Sequence, residues 1–365
     1  MKQGWKIKKL KEICAKITDG THQTPKYFDE GVIFLSSKNV TSGKIDWDNI
    51  KYIDEKQHLE MHKRVAPRVG DILLAKNGTT GVAAMVDRDV VFDIYVSLAH
   101  IRVLEEVTPE FMLYFINSPI AKKQFNKRLK GSGVPNLHLE EIREVEILLP
   151  PLSEQQRIVA ILDEVFEAIA KAKANAEQNL KNAKELFESY LQKVFETKGE
   201  GWEEKNFEDC FKLKSGDGLT SKNMSENGEY PVFGGNGIAG LHNNFNLSGS
   251  NIIIGRVGAL CGNVRHITEN IWLTDNAFKV VGLKFDYDHS FLTYLLNYKN
   301  LRSFARQAAQ PVISNSSLKN VALEFPKSLK EQQNIAQKLD VLLLETKKLE
   351  AIYQQKINDL EELKK

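Results

Sequence analysis

Residues 150–158 read PPLSEQQRI, and they open a run that contains no further proline or glycine before Gly199. Ser153 is a suitable helix N-cap, and Gln156, three residues later, completes a capping box. Apolar or small side chains then recur at three- and four-residue spacing as far as Tyr190. The stretch therefore predicts one helix, roughly 60 Å long, with a heptad-like apolar seam.

The chain repeats this helix entry near its end. Residues 325–335 read FPKSLKEQQNI, and a second run without proline or glycine follows. A single long helix cannot bury its own stripe, so we expect the two helices to pair antiparallel. A helical-bundle core is the alternative, although helices in compact domains average only about 11–12 residues. The positions expected to pair are Ile158, Leu162, Val165, Ile169, Leu186, Ile335, Leu339, Leu342 and Leu349.

The duplication extends beyond the two helices. An apolar strand that runs into a glycine loop, a second strand and a helix recur in the same order. The matching segments are 70–81 and 249–262, 99–103 and 277–281, and 109–129 and 289–307. This pattern predicts the α+β class, with two mixed units in tandem separated by two long antiparallel coiled-coil helices. The expected domains are a first unit (1–150), a central helix (151–198), a second unit (199–326) and a C-terminal helix (327–365).

The composition is that of a soluble globular protein. The 365 residues are 42% hydrophobic and 27% charged, and the net charge of +2 says little about partners. No apolar run approaches the ~18 residues of a membrane span, and the first residues lack a secretory signal. Three scattered cysteines are too few for a disulfide framework or a zinc site. We therefore expect a cytoplasmic protein with free thiols and no membrane contact.

Motifs of catalysis are absent from the sequence. Residues 149–152 (LPPL) lack the polar first residue of an amino-methyltransferase loop, and 234–237 (GGNG) lack the Lys-Ser/Thr of a phosphate loop. The chain has no Gly-x-Ser-x-Gly, His-Glu-x-x-His or Cys-x-x-Cys motif, and we interpret its eight histidines as dispersed without ligand spacing. The sequence thus predicts no catalytic residue and no metal site.

Basic residues recur at the ends of the two equivalent helices. The first helix, 109–129, carries Lys123 and Lys127 and is followed by Lys130 and Asn136. In the second, Lys299, Arg302 and Arg306 are spaced to share one face, and Gln307 and Gln310 follow. Cations can neutralise phosphates, and Asn and Gln can bind base edges, notably adenine. A solvated helix face is the alternative, but recurrence in two diverged copies favours a DNA-binding role.

Polar residues in the glycine loops are further candidates for DNA contact. We expect such contacts from Thr21, His22, Lys76, Asn77, Thr79, Thr80, Asn236 and Arg256. The glycines either let the backbone approach a DNA groove closely or simply close hairpins.

With these features the chain resembles the specificity (S) subunits of type I restriction–modification systems. The resemblance rests on the order of two units and two helices, on PPLSEQQRI at 150–158 and on its copy at 326–335. It also rests on residues 19–25 (DGTHQTP) and 230–237 (YPVFGGNG). The second helix entry departs from the motif, because Lys327 replaces the second proline and one extra residue precedes the glutamate.

The resemblance implies a function and a set of partners. Each unit would be a target recognition domain that binds one half of a split sequence in double-stranded DNA. The helices would set the distance between half-sites and dock two methyltransferase (M) subunits, which bind S-adenosylmethionine and methylate adenine. A restriction (R) subunit would add cleavage that depends on ATP and Mg. The chain itself would be non-catalytic and would bind none of these cofactors.

Two other functions stay open at the level of sequence. One is a coiled-coil scaffold that links protein partners without nucleic acid, and a gel shift at two salt concentrations separates it from a DNA-binding subunit. The other is the recognition part of a split methyltransferase–nuclease, which neighbouring genes would identify.

Overall fold

The computed structural model describes residues 4–40, 43–78, 80–129, 135–306 and 310–363. The chain divides into two compact units, one formed by residues 1–173 with 359–365 and the other by residues 174–358. Each unit combines helices with several small sheets. The predicted α+β class with two units in tandem is thereby confirmed.

The first unit is built on three small sheets. The central sheet has the order β2-β8-β5-β6 with antiparallel neighbours, a second has the order β4-β3-β7, and β1 pairs with β9. The strands are β1 Lys6–Lys9, β2 Cys14–Asp19, β3 Val32–Leu35, β4 Lys51–Ile53, β5 Ile72–Ala75, β6 Ala83–Met85, β7 Phe92–Ile94, β8 Leu98–Val103 and β9 Glu146–Leu149. The helices are α1 Leu10–Ile13, α2 Glu55–Met61, α3 Pro109–Asn117, α4 Pro119–Arg128, α5 Leu139–Arg143 and the long α6, Leu152–Glu196, whose residues from 174 onward belong to the second unit.

Strand β5 shows why the first unit has two apolar cores. Its sequence ILLA is apolar at every position, and successive side chains of a strand point to opposite faces. Ile72 and Leu74 join the core that includes Met112 of α3, while Leu73 and Ala75 join the core that includes Phe92 of β7. All four residues of the strand are buried, as expected of a strand covered on both faces.

The second unit repeats the topology of the first. Its sheets have the orders β11-β17-β14-β15, β13-β12-β16 and β10-β18, and β12 pairs with β16 in parallel, as β3 does with β7. The strands are β10 Trp202–Asn206, β11 Lys212–Ser215, β12 Tyr230–Gly234, β13 Gly237–His242, β14 Asn251–Gly255, β15 Val264–Ile267, β16 Trp272–Leu273, β17 Ala277–Val281 and β18 Ala322–Pro326. The helices are α7 Phe207–Cys210, α8 His289–Tyr298, α9 Asn315–Leu318 and the long α10, Leu329–Leu363.

The two long helices pack together in the second unit. Leu191 and Phe195 from the last turns of α6 share a core with Ala336 and Leu339 from the first turns of α10. Further from those ends, Phe187 of α6 and Leu343 of α10 line one groove. The helices therefore run antiparallel here, as predicted. None of the helices in the described ranges is both long and apolar enough to cross a lipid bilayer.

The buried seam of these helices differs in part from the predicted one. Val165, Leu186 and Leu349 were expected to pair, yet their side chains are 46%, 48% and 38% exposed. Ala176 and Ala183, small residues of the same predicted seam, are buried as expected. Among the other predicted pairing positions, Leu339 is fully buried and Ile158, Leu162, Ile169, Ile335 and Leu342 are half-buried.

A buried glutamine fixes the entry of each long helix. The Gln155 side chain donates to the carbonyls of Pro150 and Glu106 at 2.9 Å each, and its oxygen accepts from the Thr108 amide at 2.9 Å. Gln332 donates to the carbonyls of Pro326 (2.9 Å) and Asp286 (3.3 Å) and accepts from the Asp288 amide (2.9 Å). Each glutamine therefore joins a long helix to the segment before α3 or α8.

The predicted capping box at the first helix is wrong. Helix α6 begins at Leu152, so Ser153 lies within its first turn and does not cap it. The Pro151 carbonyl accepts from the amides of Glu154 and Gln155 at 2.9 and 3.0 Å, and the helix starts two residues earlier than the capping pattern predicts.

Candidate nucleic-acid interface

In each unit the glycine loop lies against the segment that follows the basic helix. In the first unit the Gly78 amide donates to Pro135 O at 3.2 Å, and Asn77 and Asn136 face each other as an isolated antiparallel bridge. In the second unit the Gly258 amide donates to Pro311 O at 3.2 Å, and Val257 faces Val312 in the same way. We call each assembly a paired loop: residues 76–78 with 135–137, and residues 256–258 with 311–313. The fold thus brings together two segments whose proximity the sequence did not predict.

The two paired loops carry different side chains at equivalent positions. The first has two amides, Asn77 and Asn136, whose Oδ1 atoms are buried without a hydrogen-bond partner. The second has two half-buried valines at the same places, Val257 and Val312. Buried polar atoms are normally hydrogen-bonded, so two unpaired amide oxygens at one place are unusual. Neither valine was predicted from the sequence, although the repeat offset between the copies could have identified them.

Lys76, which was expected to contact DNA, is not exposed. Its side chain is buried, and Nζ lies 3.2 Å from Asp19 Oδ2. Arg64 also bonds Asp19, and no sequence signal had identified that arginine. Burial alone would raise the pKa of Asp19, but the hydrogen bond from Arg64 and the charge of Lys76 bring it below its ordinary value. Lys76 therefore anchors the paired loop from inside, with its charge balanced by a carboxylate.

Arg256 occupies the equivalent position in the second unit with a different partner. Ser215 stands where the first unit has Asp19, and Arg256 Nη1 lies 3.4 Å from Ser215 Oγ and 3.3 Å from Asp275 O. The guanidinium lies over the Phe278 ring, 5.2 Å from its centroid, and its Nε is buried without a partner. Among the described residues no carboxylate lies within ion-pair distance of Arg256, so its positive charge is not neutralised locally.

The residues around Thr21 form a constrained turn. A side chain at Gly20 would place its Cβ 1.9 Å from Ile94 O, so only glycine fits there. The Thr21 amide donates to the same carbonyl at 3.0 Å, and Thr21 O accepts from the Val96 amide at 2.9 Å. Thr21 is thus held by backbone bonds, whereas the His22 side chain is 63% exposed.

The predicted helix 109–129 is two helices in the structure. Ser118 ends α3 and caps α4, since its Oγ accepts from the Ala121 amide at 3.3 Å and Pro119 starts the new helix. Lys123 and Lys127 are exposed on α4, four residues apart and therefore on one face. Thr80 is half-buried in the turn after Gly78, while Thr79 and Lys130 lie outside the described residues.

The predicted basic face of the second helix is wrong. Helix α8 ends at Tyr298, and Asn300 adopts a left-handed backbone with φ of 47° before a 3₁₀ turn at 301–304. Lys299 and Arg302 therefore lie on different pieces of chain, and Arg306 lies beyond the 3₁₀ turn. Asparagine tolerates the left-handed conformation better than most residues. The spacing of the basic residues gave no indication that the helix would end at this asparagine.

The side chains of these basic residues also face different partners. Lys299 Nζ forms an ion pair with Glu324 Oε2 at 2.6 Å and is half-buried. Arg302 is exposed and donates to the Ala259 carbonyl of the glycine loop, and Arg306 is exposed with its amide bonded to Val312 O at 3.0 Å. Arg302 and Arg306 thus border the second paired loop, while Lys299 is engaged elsewhere.

Two further predicted contacts also belong to the second unit. The Asn236 side chain is exposed and accepts from the Leu260 amide at 2.9 Å, which ties the turn after β12 to the glycine loop. Gln310 is exposed next to Pro311 of the paired loop. Gln307 lies outside the described residues.

Comparisons with known proteins agree on one family. A family model described as the type I restriction modification DNA specificity domain matches residues 2–181 and again 199–362. The chain is 31% identical over 198 residues to the EcoprrI type I restriction enzyme specificity subunit of Escherichia coli, covering 52% of this chain and 48% of that protein. It is 24% identical over 383 residues to the putative MjaX specificity subunit of Methanocaldococcus jannaschii, covering 95% and 89%.

The chain spans about half the length of the first two curated relatives it matches, 48% of EcoprrI and 46% of the MjaVIII specificity subunit. Both relatives are named as specificity subunits of type I restriction enzymes.

Two solved structures share the fold. A chain from a study of complex assembly and conformational transition in the type I R-M system gives a TM-score of 0.73 at 20% identity, covering 99% of this chain and 95% of that chain. The HsdS subunit from Thermoanaerobacter tengcongensis gives 0.65 at 20% identity, covering 99% and 96%.

Proposed function

The chain belongs to the type I restriction–modification DNA specificity family, whose model matches both of its halves. From this membership we propose the following function. The chain chooses a bipartite DNA sequence, with one half-site bound by each unit, and carries out no catalysis itself. One observation carries this proposal: two units of the same topology hold the same paired loop but present two amides in one and two valines in the other. A common scaffold with different contact residues is what recognition of two different half-sites requires.

The chemistry of each paired loop fits contact with a DNA groove. Asparagine side chains can bind adenine through N6 and N7, and branched apolar side chains can contact the methyl group of thymine. The exposed Lys123 and Lys127 of the first unit, and Arg302 and Arg306 beside the second loop, supply the positive charge that phosphate contacts need. Base contacts would then choose the sequence while the cations hold the register.

The proposed domains follow the duplicated organisation. Residues 1–150 and 199–326 act as target recognition domains, and residues 151–198 and 327–365 act as the spacer and as the docking surface for methyltransferase subunits. The buried glutamines support this division, because each fastens a long helix to its own recognition domain through three hydrogen bonds.

The cofactors of the complex would be bound by its other subunits. Two methyltransferase subunits would use S-adenosylmethionine to methylate adenine, and a restriction subunit would use ATP with Mg²⁺. The adenine to be methylated would be flipped into the methyltransferase, since chemistry on a base requires its removal from the stack. The role of this chain is to place that adenine within reach.

Methylome sequencing tests this function directly. The chain is co-expressed with its methyltransferase in a host that lacks other adenine methylation, and the host genome is read for modified adenines. We expect one bipartite motif with a spacer of fixed length. A single continuous motif, or no methylation above that of a host carrying the methyltransferase alone, would refute the proposal. The second result would favour the protein scaffold.

A further inference from the structure

Two histidines and an aspartate converge in the first unit, apart from the paired loop residues. His58 lies in α2 and His62 follows it by one helical turn, so their side chains share a face. Both face Asp93 of strand β7: His58 Nδ1 lies 2.7 Å from Oδ2, and His62 Nδ1 lies 3.0 Å from Oδ1. The two imidazole rings are 4.7 Å apart between centroids. This pair corrects the expectation that the histidines lack ligand spacing.

The charge of Asp93 lacks a fixed cationic partner. Its carboxylate is 1% exposed, and within the described ranges no lysine or arginine lies within ion-pair distance of it. Burying an ionised carboxylate is costly unless it is both paired and hydrogen-bonded. The two imidazoles can donate hydrogen bonds to it, but neither carries a permanent positive charge as lysine or arginine does. A bound cation would supply that charge.

The three donor atoms are arranged as metal ligands can be. One nitrogen from each histidine and one carboxylate oxygen lie within 4.8 Å of one another. Around a tetrahedral zinc ion with bonds of about 2.0–2.1 Å, neighbouring donors are about 3.3 Å apart. The spacings of 2.7 and 3.0 Å run to the two different oxygens of Asp93, so each imidazole needs to move by less than an ångström from its oxygen for an ion to enter between them.

The donor set and its exposure narrow the class of metal. Two imidazole nitrogens and one carboxylate suit zinc and related transition metals, whereas magnesium and calcium prefer oxygen ligands. His58 is 12% exposed and His62 is 31% exposed, so the site is reached from the His62 side. Water can complete the coordination there, as in zinc sites with three protein ligands.

We propose that His58, His62 and Asp93 bind a divalent ion of the zinc class, which fastens α2 to the edge strand β7 of the β4-β3-β7 sheet. The second unit provides an internal comparison. Strand pairing places Asp93 opposite Phe34, and Trp272 takes the equivalent place opposite Val232. The second unit therefore has no carboxylate at that position, and among the described residues the proposed site occurs in the first unit only.

Equilibrium dialysis against zinc chloride tests the proposal. The full chain is used without a histidine tag, together with its methyltransferase if the chain needs it for solubility. We expect one ion per specificity chain.

His62→Ala should weaken binding by more than about 100-fold, which exceeds the effect of replacing a residue that only supports a ligand. His138→Ala, at an exposed histidine in the same unit, is the matched control and should leave binding unchanged. Zinc that stays bound to the His62→Ala variant, or a wild-type chain that binds none, overturns the site.

Thermal unfolding provides a second readout that does not depend on DNA binding. Zinc at about 100 times its dissociation constant should raise the melting temperature of the first unit by about 5–10 °C. The His62→Ala variant should fold, because the side chain is partly exposed, but should show no such rise. An equal rise in that variant would place the stabilising ion elsewhere and contradict the proposal.

Discussion

At each long-helix entry one glutamine side chain bonds three backbone groups. Gln155 and Gln332 are 0% and 1% exposed, and the bonds they donate to the carbonyls of Pro150 and Pro326 are buried. The sequence offered Glu-Gln-Gln twice, but it could not show which glutamine points inward. In both triplets the first glutamine is the buried one, while Gln156 and Gln333 are exposed.

Replacing Gln155 by leucine should destabilise the first unit. Leucine fills the space but leaves the Thr108 amide and two carbonyls unpaired, at about 1–3 kcal/mol for each buried group. We expect a loss on the order of 3 kcal/mol in the free energy of unfolding, measured by urea denaturation. Gln156→Leu, at the exposed neighbour, is the control. Equal losses of unfolding free energy in the two variants would show that the three hydrogen bonds of Gln155 do not account for the destabilisation.

The two amides of the first paired loop should determine bases in one half-site. Replacing Asn77 and Asn136 together by valine gives that loop the side chains of the second one. We expect altered or relaxed bases in the first half of the methylated motif, since a good base contact is worth about 1–3 kcal/mol of discrimination. Methylome sequencing measures the effect. A motif changed only in its other half would show that the two units are assigned to the wrong half-sites.

The exposed lysines of α4 should bind phosphates without sequence preference. Replacing Lys123 and Lys127 by alanine should weaken DNA binding by the assembled complex equally on all sequences. The slope of log affinity against log salt concentration should become shallower by about 0.9 for each phosphate that is no longer neutralised. A gel shift across a salt series measures this slope. Replacing Lys56 and Lys63, which are exposed elsewhere in the same unit, should leave the slope unchanged.

At the scale of elements, sequence periodicity predicted the long helices well because their apolar spacing extends over many turns. The shorter helices were less predictable. Ser118-Pro119 splits one of them, and this pair is a recognised helix-start signal that could have been used. The left-handed Asn300 ends the other, and nothing local in the sequence requires that conformation.

The contacts of the candidate site were predicted only in part, because they depend on tertiary pairing. Lys76 was chosen for its charge, but its partner Asp19 lies in a different strand and is brought to it only by the sheet. The meeting of Asn77 with Asn136 has the same origin. Sequence alone identified which loops carry polar residues, but it could not tell which side chains the fold neutralises.

Lengthening both long helices should lengthen the spacer of the DNA motif. Four residues inserted into each of α6 and α10 add roughly 6 Å at 1.5 Å per residue. With B-DNA rising about 3.4 Å per base pair, the spacer should grow by one or two base pairs while both half-sites stay the same. Methylome sequencing reads the spacer length. The same insertion in the linker at residues 198–201 serves as the control. An unchanged spacer in the helix variant would show that the long helices do not set the distance between the half-sites.

At the scale of the whole molecule, one fold is used twice with different surfaces. Strand order, parallel pairing, glutamine bonds and paired loops recur in both units. What differs is chemical: Asp19 against Ser215 under the loop, and two amides against two valines within it. Under the proposed function, such a molecule should change one half of its specificity without changing the other, because each unit contains its own apolar cores and its own proposed contact residues.

Exchange of a whole recognition domain tests this central claim most directly. Residues 201–326 are replaced by the corresponding domain of another family member, and the chimera is expressed with the methyltransferase. The methylome should contain a motif with the original first half-site, the original spacer length and a new second half-site. A chimera that methylates a motif altered in both halves would contradict independent recognition by the two units.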